Sequence, residues 1–192
     1  MNQYSFSFLI EFRLFTSSNI TVFGIWNTTA GGDSSPSTSG SGMGNYIPGE
    51  GPLAIFDNLN QTKYTSLGAC TAGMYALNCG ENTGLYFISH DGPVLLISVQ
   101  FRTANNIIER DPLTTTIEGS NQPSALLTLG SSWTLLYSGT TGLDSILDRH
   151  TWGPAQLVWA NSILYSSYRI LITSKRGVQI GTQYCEVKLN AY

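Results

Sequence analysis

Residues Val94-Leu95-Leu96-Ile97-Ser98-Val99-Gln100-Phe101-Arg102 form an alternating apolar segment. Leu95, Ile97, Val99 and Phe101 recur at every second position, the period at which side chains share one face of a β-strand. The β-branched and aromatic residues of the segment also suit a pleated, half-buried surface. The segment therefore predicts a strand with one face toward a core.

Similar segments extend along the whole chain. Residues 132–138 and 165–174 alternate in the same way, and their predicted buried faces are formed by Trp133, Leu135 and Tyr137 and by Tyr168, Ile170 and Ile172. Further strand candidates are 20–26, 53–56, 85–89, 114–118, 156–161 and 178–189. Short Gly, Pro, Asn and Asp turns separate them, and only 143–149 has a helical pattern. Many short strands with such turns predict an antiparallel β-sandwich or barrel.

Composition excludes several classes of partner. Charged residues make up only 11% of the 192 residues, and 9 Lys and Arg oppose 12 Asp and Glu for a net charge of −3. The sequence has no basic stripe, so it offers no footprint for nucleic acid, and binding to anionic membrane lipid is disfavoured for the same reason.

The chain is predicted to hold one domain. Residues 1–19 are interpreted as an N-terminal extension or extra strand, because Glu11 and Arg13 interrupt the apolar core that a signal peptide needs. Residues 20–192 form the predicted sandwich. The Gly/Ser/Thr-rich segment 28–44 cannot bury enough apolar area to offset its ordering entropy, so we expect a mobile surface loop there.

The three cysteines bear on the compartment. Cys70 and Cys79 bracket a short segment and are predicted to form a disulfide, whereas Cys185 lies in an apolar run and is expected to be a buried free thiol. Three Asn-x-Thr sequons, at Asn19, Asn27 and Asn60, point in the same direction. Together these features favour an extracellular or cell-surface location.

Residues suited to catalysis are scarce. His90 and His150 are the only histidines and have no partner at metal-ligand spacing. Glu109 and Asp111 flank Arg110, and an Arg–Asp salt bridge that locks this turn is favoured over the carboxylate pair of a glycosidase. No nucleophile elbow or phosphate-binding loop is present. We therefore expect a protein that is not an enzyme.

Oxygen-bearing side chains cluster in residues 57–62, Asp-Asn-Leu-Asn-Gln-Thr, directly after a strand candidate. Calcium takes six to eight oxygen ligands, and such turns supply them. An Asx-turn that caps the strand explains the same residues without a metal, and the residues alone favour it. Both interpretations remain open.

Aromatic residues outside the alternating faces are candidate ligand platforms, because the apolar faces of sugars pack on rings. They are Trp26, Tyr46, Trp152 and Trp159. Trp26 and Trp159 follow apolar runs and are expected in the core, so Trp152 in the loop His150-Thr151-Trp152-Gly153-Pro154 is the better platform.

Six segments in order resemble the discoidin domain, also called the coagulation factor 5/8 type C or galactose-binding-like domain. They are Ile55-Phe56-Asp57-Asn58 with Thr62-Lys63-Tyr64; Gly84-Leu85-Tyr86-Phe87; Arg110-Asp111-Pro112 with Thr116-Ile117-Glu118-Gly119-Ser120-Asn121; Ser132 to Gly139; Arg149 with Asn161 and Tyr165 to Ile170; and Val178-Gln179-Ile180 with Glu186-Val187-Lys188-Leu189. The resemblance covers roughly residues 20–189. Each segment is short, and the specificity lies in their order.

The resemblance implies an eight-stranded jelly-roll sandwich that recognises ligands through loops at one end. It also implies a structural calcium at the positions that match Asp57, Thr62 and Glu186, with Asn60 between them, and this shifts the balance toward calcium. Asn58 stands where the family usually has glycine, which puts the backbone geometry of the turn in question. Tyr64 stands where the family usually has tryptophan.

The function that the resemblance implies is a non-catalytic carbohydrate-binding module for cell-surface or extracellular glycans. Candidate sugar contacts are Arg102, His90, His150 and Trp152, whereas Arg110 and Arg149 match recurrent positions and are expected to be structural. The alternative is an adhesion module with a protein partner. Phospholipid binding needs exposed apolar loops ringed by basic residues, which the sequence does not indicate.

Overall fold

The computed structural model describes residues 13–158 and 161–192. They form an all-β molecule whose helical segments are short 3-10 turns. Seven strands have six or more residues, and the others have two or three. The strands are β1 Arg13–Leu14, β2 Ile20–Trp26, β3 Ser35–Pro36, β4 Thr38–Ser39, β5 Asn45–Tyr46, β6 Tyr64–Ser66, β7 Thr83–Ser89, β8 Leu96–Arg102, β9 Pro112–Ser120, β10 Thr134–Thr140, β11 Gln156–Leu157, β12 Ser167–Lys175, β13 Thr182–Tyr184 and β14 Glu186–Ala191.

Two sheets face each other across the core. One has six strands in the order β10-β9-β12-β7-β2-β3, and the other has four in the order β1-β14-β8-β11. A further small sheet, β13-β6-β5-β4, closes one end. The long strands pair antiparallel throughout. The predicted antiparallel sandwich is confirmed. The strands beyond the seven long ones have two or three residues each.

The main core lies between the two large sheets. Tyr168, Ile170 and Ile172 of β12 point into it as predicted, and they meet Val99 and Phe101 of β8. Burial of each such side chain contributes about 1.5–3 kcal/mol to the hydrophobic term. No helix among the described residues is long and apolar enough to cross a membrane.

A bulge overturns part of the predicted face of β8. Asn190 pairs with Ser98 and the next residue, Ala191, pairs with Leu96, so Ile97 is an extra residue. Because a bulge reverses the alternation of side chains, Leu96 is buried together with Val99. The prediction that Leu95 and Ile97 share the buried face was wrong.

A second bulge changes the side-chain alternation of β10. Its pairing with β9 shifts register between Leu135 and Tyr137, so Leu136 and Tyr137 pack on the main core while Leu135 is exposed. Trp133 instead joins a small second core on the outer face of the six-stranded sheet, together with Ile25, Tyr86 and Leu127. The single face predicted for Trp133, Leu135 and Tyr137 was therefore wrong.

Two predicted elements take other conformations. Residues 53–56 lie in a 3-10 helix, Pro52–Phe56, because Pro52 stands at its first turn. Residues 143–149 form turns rather than a helix, and Arg176 donates to the carbonyl groups of Leu143, Asp144 and Ile146 in them.

The segment 28–44, predicted as a mobile loop, is tied to the outer face of the six-stranded sheet. Arg169 donates to the carbonyl oxygen of Gly32 and to Ser34 Oγ, both at 2.9 Å. The backbone N–H of Gly31 donates to Glu118 Oε1 at 2.8 Å. These contacts and the two short strands β3 and β4 hold the segment in place, although its composition predicted disorder.

Other expectations fall at the edges of the described residues. Of the predicted N-terminal strand, only β1 lies within them, where it pairs with β14. Trp159 lies outside them. Trp26, expected in the core, is half-buried.

Candidate functional site

The predicted metal turn follows the 3-10 helix Pro52–Phe56. Asp57 Oδ1 accepts from the backbone N–H of Leu59 and from Thr62 Oγ1, both at 2.9 Å. The first bond defines an Asx-turn. Asn58 takes φ +59°, a left-handed value that asparagine tolerates better than most residues. The turn geometry that the missing glycine put in question is therefore formed with asparagine.

Glu186, the first residue of β14, lies beneath this turn. It is 5% exposed, and its Oε1 atom is buried without a hydrogen-bond partner. Burial, reinforced by the neighbouring Asp57 carboxylate, raises the pKa of Glu186 to about 7. A buried carboxyl group thus lies next to a half-buried carboxylate, an arrangement that favours a bound cation or a shared proton.

The other two predicted metal ligands, Thr62 and Asn60, differ in their positions. Thr62 Oγ1 lies in the turn, 3.0 Å from the carbonyl oxygen of Leu59. The side-chain oxygen of Asn60 is instead hydrogen-bonded to Arg102 Nη1, so it is already occupied by a donor. Within 13–158 and 161–192, no three His, Cys, Asp or Glu side chains form a metal-binding group. A cation here would rely on hydroxyl and carbonyl oxygens beside the two carboxylates.

Three of the four predicted sugar contacts gather beside the turn. Arg102 Nε donates to the backbone carbonyl of His150 at 2.9 Å, and its guanidinium carbon lies 5.8 Å from the centre of the Trp152 ring. Lys188 Nζ lies 4.9 Å from the same ring. Arg102 therefore links strand β8, the Asn60 turn and the Trp152 loop, through hydrogen bonds from Nε and Nη1.

His90 is not part of this group. Its Nε2 lies 2.8 Å from Thr21 Oγ1, at the opposite end of the sandwich. Strand β8 separates the two places by roughly 20 Å, at about 3.3 Å per residue. The four predicted ligand-binding residues do not form one site.

A different surface is built on the Cys70–Cys79 disulfide, which is present as predicted, while Cys185 is a buried free thiol. We call it the disulfide-loop end. The loop exposes Met74, Tyr75 and Leu77, and Tyr75 is 61% exposed. An isolated bridge between Ala76 and Gln179 joins it to the loop that exposes Val178.

Lys175 fixes these loops from below. It is 3% exposed, and its ammonium group donates to the carbonyl oxygens of Ala76 and Gly177 at 2.7 Å and of Gln179 at 3.0 Å. Burial lowers the pKa of Lys175 to about 8. One buried cation therefore holds both exposed loops in place.

Polar groups with unused hydrogen-bonding capacity lie beside Tyr75. Arg110 is largely buried and donates to Gln179 Oε1 over long contacts of 3.2 and 3.4 Å. Burial lowers its pKa, and the nearby Glu50 and Tyr75 act in the opposite direction. Glu50 Oε1 lies 3.5 Å from Lys63 Nζ, and Glu50 Oε2 is buried without a partner.

This group was missed at the level of sequence. Arg110 was assigned to an ion pair with Asp111, but Asp111 is bound by Arg149 at 2.8 and 2.6 Å, with Arg176 at 3.7 Å. The predicted structural role of Arg149 thus agrees with its geometry, and the predicted Arg110–Asp111 lock was wrong. The 3-10 helix Ile108–Arg110 ends between the two residues, and Asp111 is extended just before strand β9, so their side chains diverge.

Comparison with known proteins identifies the fold. No protein-family model matches the chain, and no curated protein matches it. Solved structures do match: the family 32 carbohydrate-binding module of Clostridium perfringens NanJ in complex with galactose has 10% identity and a TM-score of 0.55, over 94% of this chain and 99% of that one.

Two further structures agree. An F5/8 type C domain from Bacteroides fragilis has 12% identity and a TM-score of 0.55, over 93% of this chain and 95% of that one. A fucolectin from striped bass has 11% identity and a TM-score of 0.51, over 94% of this chain and 50% of that one. The protein-adhesion alternative finds no support in these neighbours. The chain has the galactose-binding-like β-sandwich fold of the F5/8 type C domains and family 32 carbohydrate-binding modules.

Proposed function

We propose that the protein is a non-catalytic carbohydrate-binding module that recognises extracellular or cell-surface glycans at the disulfide-loop end. The observation that carries the proposal is the exposed Tyr75 ring on an anchored loop beside Arg110 and Glu50. Sugars bind where an aromatic ring packs against their C–H face and polar side chains take their hydroxyls. The neighbour solved with galactose has the same fold and supports a sugar ligand.

The polar groups suit a hydroxyl-rich ligand. The Glu50 carboxylate accepts hydrogen bonds and the Arg110 guanidinium donates them, so the surface offers both kinds of partner that sugar hydroxyls need. Arg110 is buried, and Glu50 is partly buried beside Lys63, so both side chains are held in place before the ligand arrives, and little ordering entropy is lost on binding.

A hydrolytic role is not favoured by the carboxylates. A glycosidase needs two carboxyl groups that flank the scissile bond. Asp57 is occupied by the turn it caps, and Glu186 is buried beneath that turn, where a glycosidic bond does not reach.

Trp152 is the alternative sugar platform. It is half-buried, and its ring is approached by Arg102 and Lys188. Because Lys188 Nζ lies 4.9 Å and the Arg102 guanidinium carbon 5.8 Å from the ring centre, we assign Arg102, His150 and Trp152 to support of the neighbouring turn. Sugar binding by a Trp152 variant distinguishes a sugar platform from a residue that only supports the turn.

We further propose a structural calcium held by Asp57, Thr62 and Glu186, with the carbonyl oxygens of the turn. The supporting observation is the buried, unpartnered Glu186 Oε1 facing a second carboxylate. A divalent cation would offset the charge of both groups and join the last strand to the turn. Its role would be to stabilise the fold rather than to take part in sugar recognition.

The proposed location is extracellular or at the cell surface. A disulfide in a small β-domain is typical of oxidising compartments, and the Cys70–Cys79 bond supports this assignment.

The test is calorimetric titration of the purified protein with neutral sugars, first methyl β-galactoside, in calcium. Tyr75→Ala is expected to weaken binding about tenfold, equivalent to about 1.4 kcal/mol of lost ring packing. Trp152→Ala and the exposed control Leu135→Ala are expected to bind as the parent does. Unchanged affinity in Tyr75→Ala, with loss of affinity in Trp152→Ala, would place the sugar site at Trp152 instead. Absence of any sugar binding by the folded protein would favour a protein partner.

A further inference from the structure

A separate cleft of about 230 Å³ opens at the edge of the six-stranded sheet. Strand β2 is paired with β7 along one side, but β3 pairs with it only at Ile25 and Trp26. The cleft lies beside the uncovered part of β2. Its walls are formed mainly by Phe23, Pro36, Tyr46, Pro52, Tyr86 and Thr128.

The cleft presents an aromatic surface with firm support. Phe23 is 40% exposed and stacks on Tyr86, with ring centres 4.8 Å apart and an interplanar angle of 19°. Tyr86 lies 5.8 Å from Trp133, whose ring carries the Arg169 guanidinium at 4.8 Å. An exposed ring held by a packed stack is suited to binding a flat apolar face.

Hydroxyl groups around the rings keep hydrogen-bonding capacity. Ser34 Oγ accepts from Arg169, so its proton remains available. Ser37 Oγ donates to the carbonyl of Gly44 and also interacts with the Tyr64 hydroxyl, so one of its lone pairs remains available. Within the described part of the chain, the hydroxyls of Tyr86 and Thr128 have no hydrogen-bond partner. The wall therefore offers both donors and acceptors.

Charge selects the class of ligand. The residues that line the cleft include no Asp, Glu, Lys, Arg or His. Arg169, behind the wall, is neutralised by a buried ion pair with Glu118 at 2.7 Å. A charged ligand would lose hydration here without gaining a partner, so the cleft favours an uncharged one.

We propose that this cleft is a second binding site, for one uncharged saccharide unit. The volume is below the range of about 300–1,000 Å³ typical of sites for drug-sized ligands, which suits a single ring. A saccharide has an apolar C–H face for Phe23 and hydroxyls that both donate and accept for the wall. A proline-rich peptide shares the preference for aromatic rings but has only carbonyl acceptors on its proline units, so the donor and acceptor mixture fits it less well.

The site extends the proposed function and does not depend on it, because it shares no residue with the disulfide-loop end. Two sites on one domain would strengthen attachment to a glycan chain or a glycan-bearing surface through raised effective concentration.

The test is an NMR titration of the isotopically labelled full chain with methyl β-galactoside and methyl β-glucoside. At least one is expected to cause saturable shifts of the backbone amides of Gly24, Ser34 and Ser37. The shifts should persist in Tyr75→Ala and disappear in Phe23→Ala. N-acetylneuraminic acid, an anionic sugar, should give much weaker shifts there.

A second variant protects the test from a folding failure. Thr128→Glu places a charge on the exposed rim without altering the aromatic stack, and it should also remove the shifts while the melting temperature is retained. The proposal is overturned if no neutral sugar perturbs the cleft, if the shifts survive in both variants, or if a pentaproline peptide shifts these amides and the sugars do not. Loss of the cleft shifts in Tyr75→Ala would indicate a single site and would leave the proposed function intact.

Discussion

Replacement of Arg169 by methionine should strongly destabilise the fold and release the segment 28–44. Arg169 is fully buried, and its guanidinium donates to both carboxylate oxygens of Glu118, at 2.7 and 2.9 Å. Its remaining nitrogen binds Gly32 and Ser34. The variant leaves Glu118 as an unpaired charge with no exposed surface.

Removal of one partner from a buried pair costs about 3–5 kcal/mol, because the other charge stays desolvated. A domain of this kind has a total stability of about 5–15 kcal/mol, so the loss takes up a large part of it. Replacement of both residues, with Glu118→Gln added to Arg169→Met, removes the buried charge. The double variant should therefore be more stable than Arg169→Met alone, although it carries one more change.

Urea unfolding measures the free energies, and hydrogen exchange at Gly31, Gly32 and Ser34 measures the attachment of the segment. Exchange at these amides should rise in Arg169→Met more than exchange in the core strands. A loss below about 1 kcal/mol would refute the reasoning, as would unchanged exchange in the segment.

Further predictions concern the ionic groups and the disulfide. Burial and Asp57 raise the pKa of Glu186 to about 7, above its ordinary value of 4.5, so without calcium its stabilising contribution is present below about pH 4.5 and is lost as the pH rises through about 7. The increase in melting temperature on addition of calcium should therefore grow from pH 5 to pH 8 and vanish in Glu186→Gln; an equal increase in that variant would place the ion elsewhere. Replacement of Cys70 and Cys79 by serine should lower the free energy of unfolding by about 3 kcal/mol and weaken sugar binding, since the loop that carries Tyr75 loses its anchor; full affinity would show that the anchor is not needed. Asp111→Asn removes the charge partner of Arg149 and should cost about 1–3 kcal/mol in urea unfolding, with sugar affinity unchanged at temperatures where the variant is folded.

The fold was largely predictable from the sequence, because period-two alternation reports directly on strands with one buried face. The errors within strands have one cause. The bulge at Ile97 and the shift between Leu135 and Tyr137 each insert one residue, and an insertion of this kind reverses every later side chain without a compositional signal.

The order in the segment 28–44 could not be predicted from its composition. Its own residues bury little, and its contacts come from Glu118 and Arg169, which are distant in sequence and belong to two neighbouring strands. A low-complexity segment can thus be held by a charge pair that local sequence does not reveal.

The site was predictable only in part. The resemblance brought Asp57, Thr62 and Glu186 to one place, although no local pattern links the turn to the last strand. The structure separates His90 from Arg102, His150 and Trp152, and the sequence could not show this because an isolated histidine carries no information about the end of the sandwich at which it lies. Glu50 and Tyr75 come near Arg110 only in the folded chain, because the three residues lie on segments that are distant in sequence.

The central claim is that a neutral glycan binds at the Tyr75 surface. The most direct measurement is titration of the parent, Tyr75→Ala and Leu135→Ala proteins with the sugar that gives the strongest signal in a glycan array with calcium present. The account predicts saturable binding to the parent and to Leu135→Ala, with affinity about tenfold lower for a folded Tyr75→Ala. Equal affinity in all three proteins, or no glycan bound by the folded parent, would contradict it.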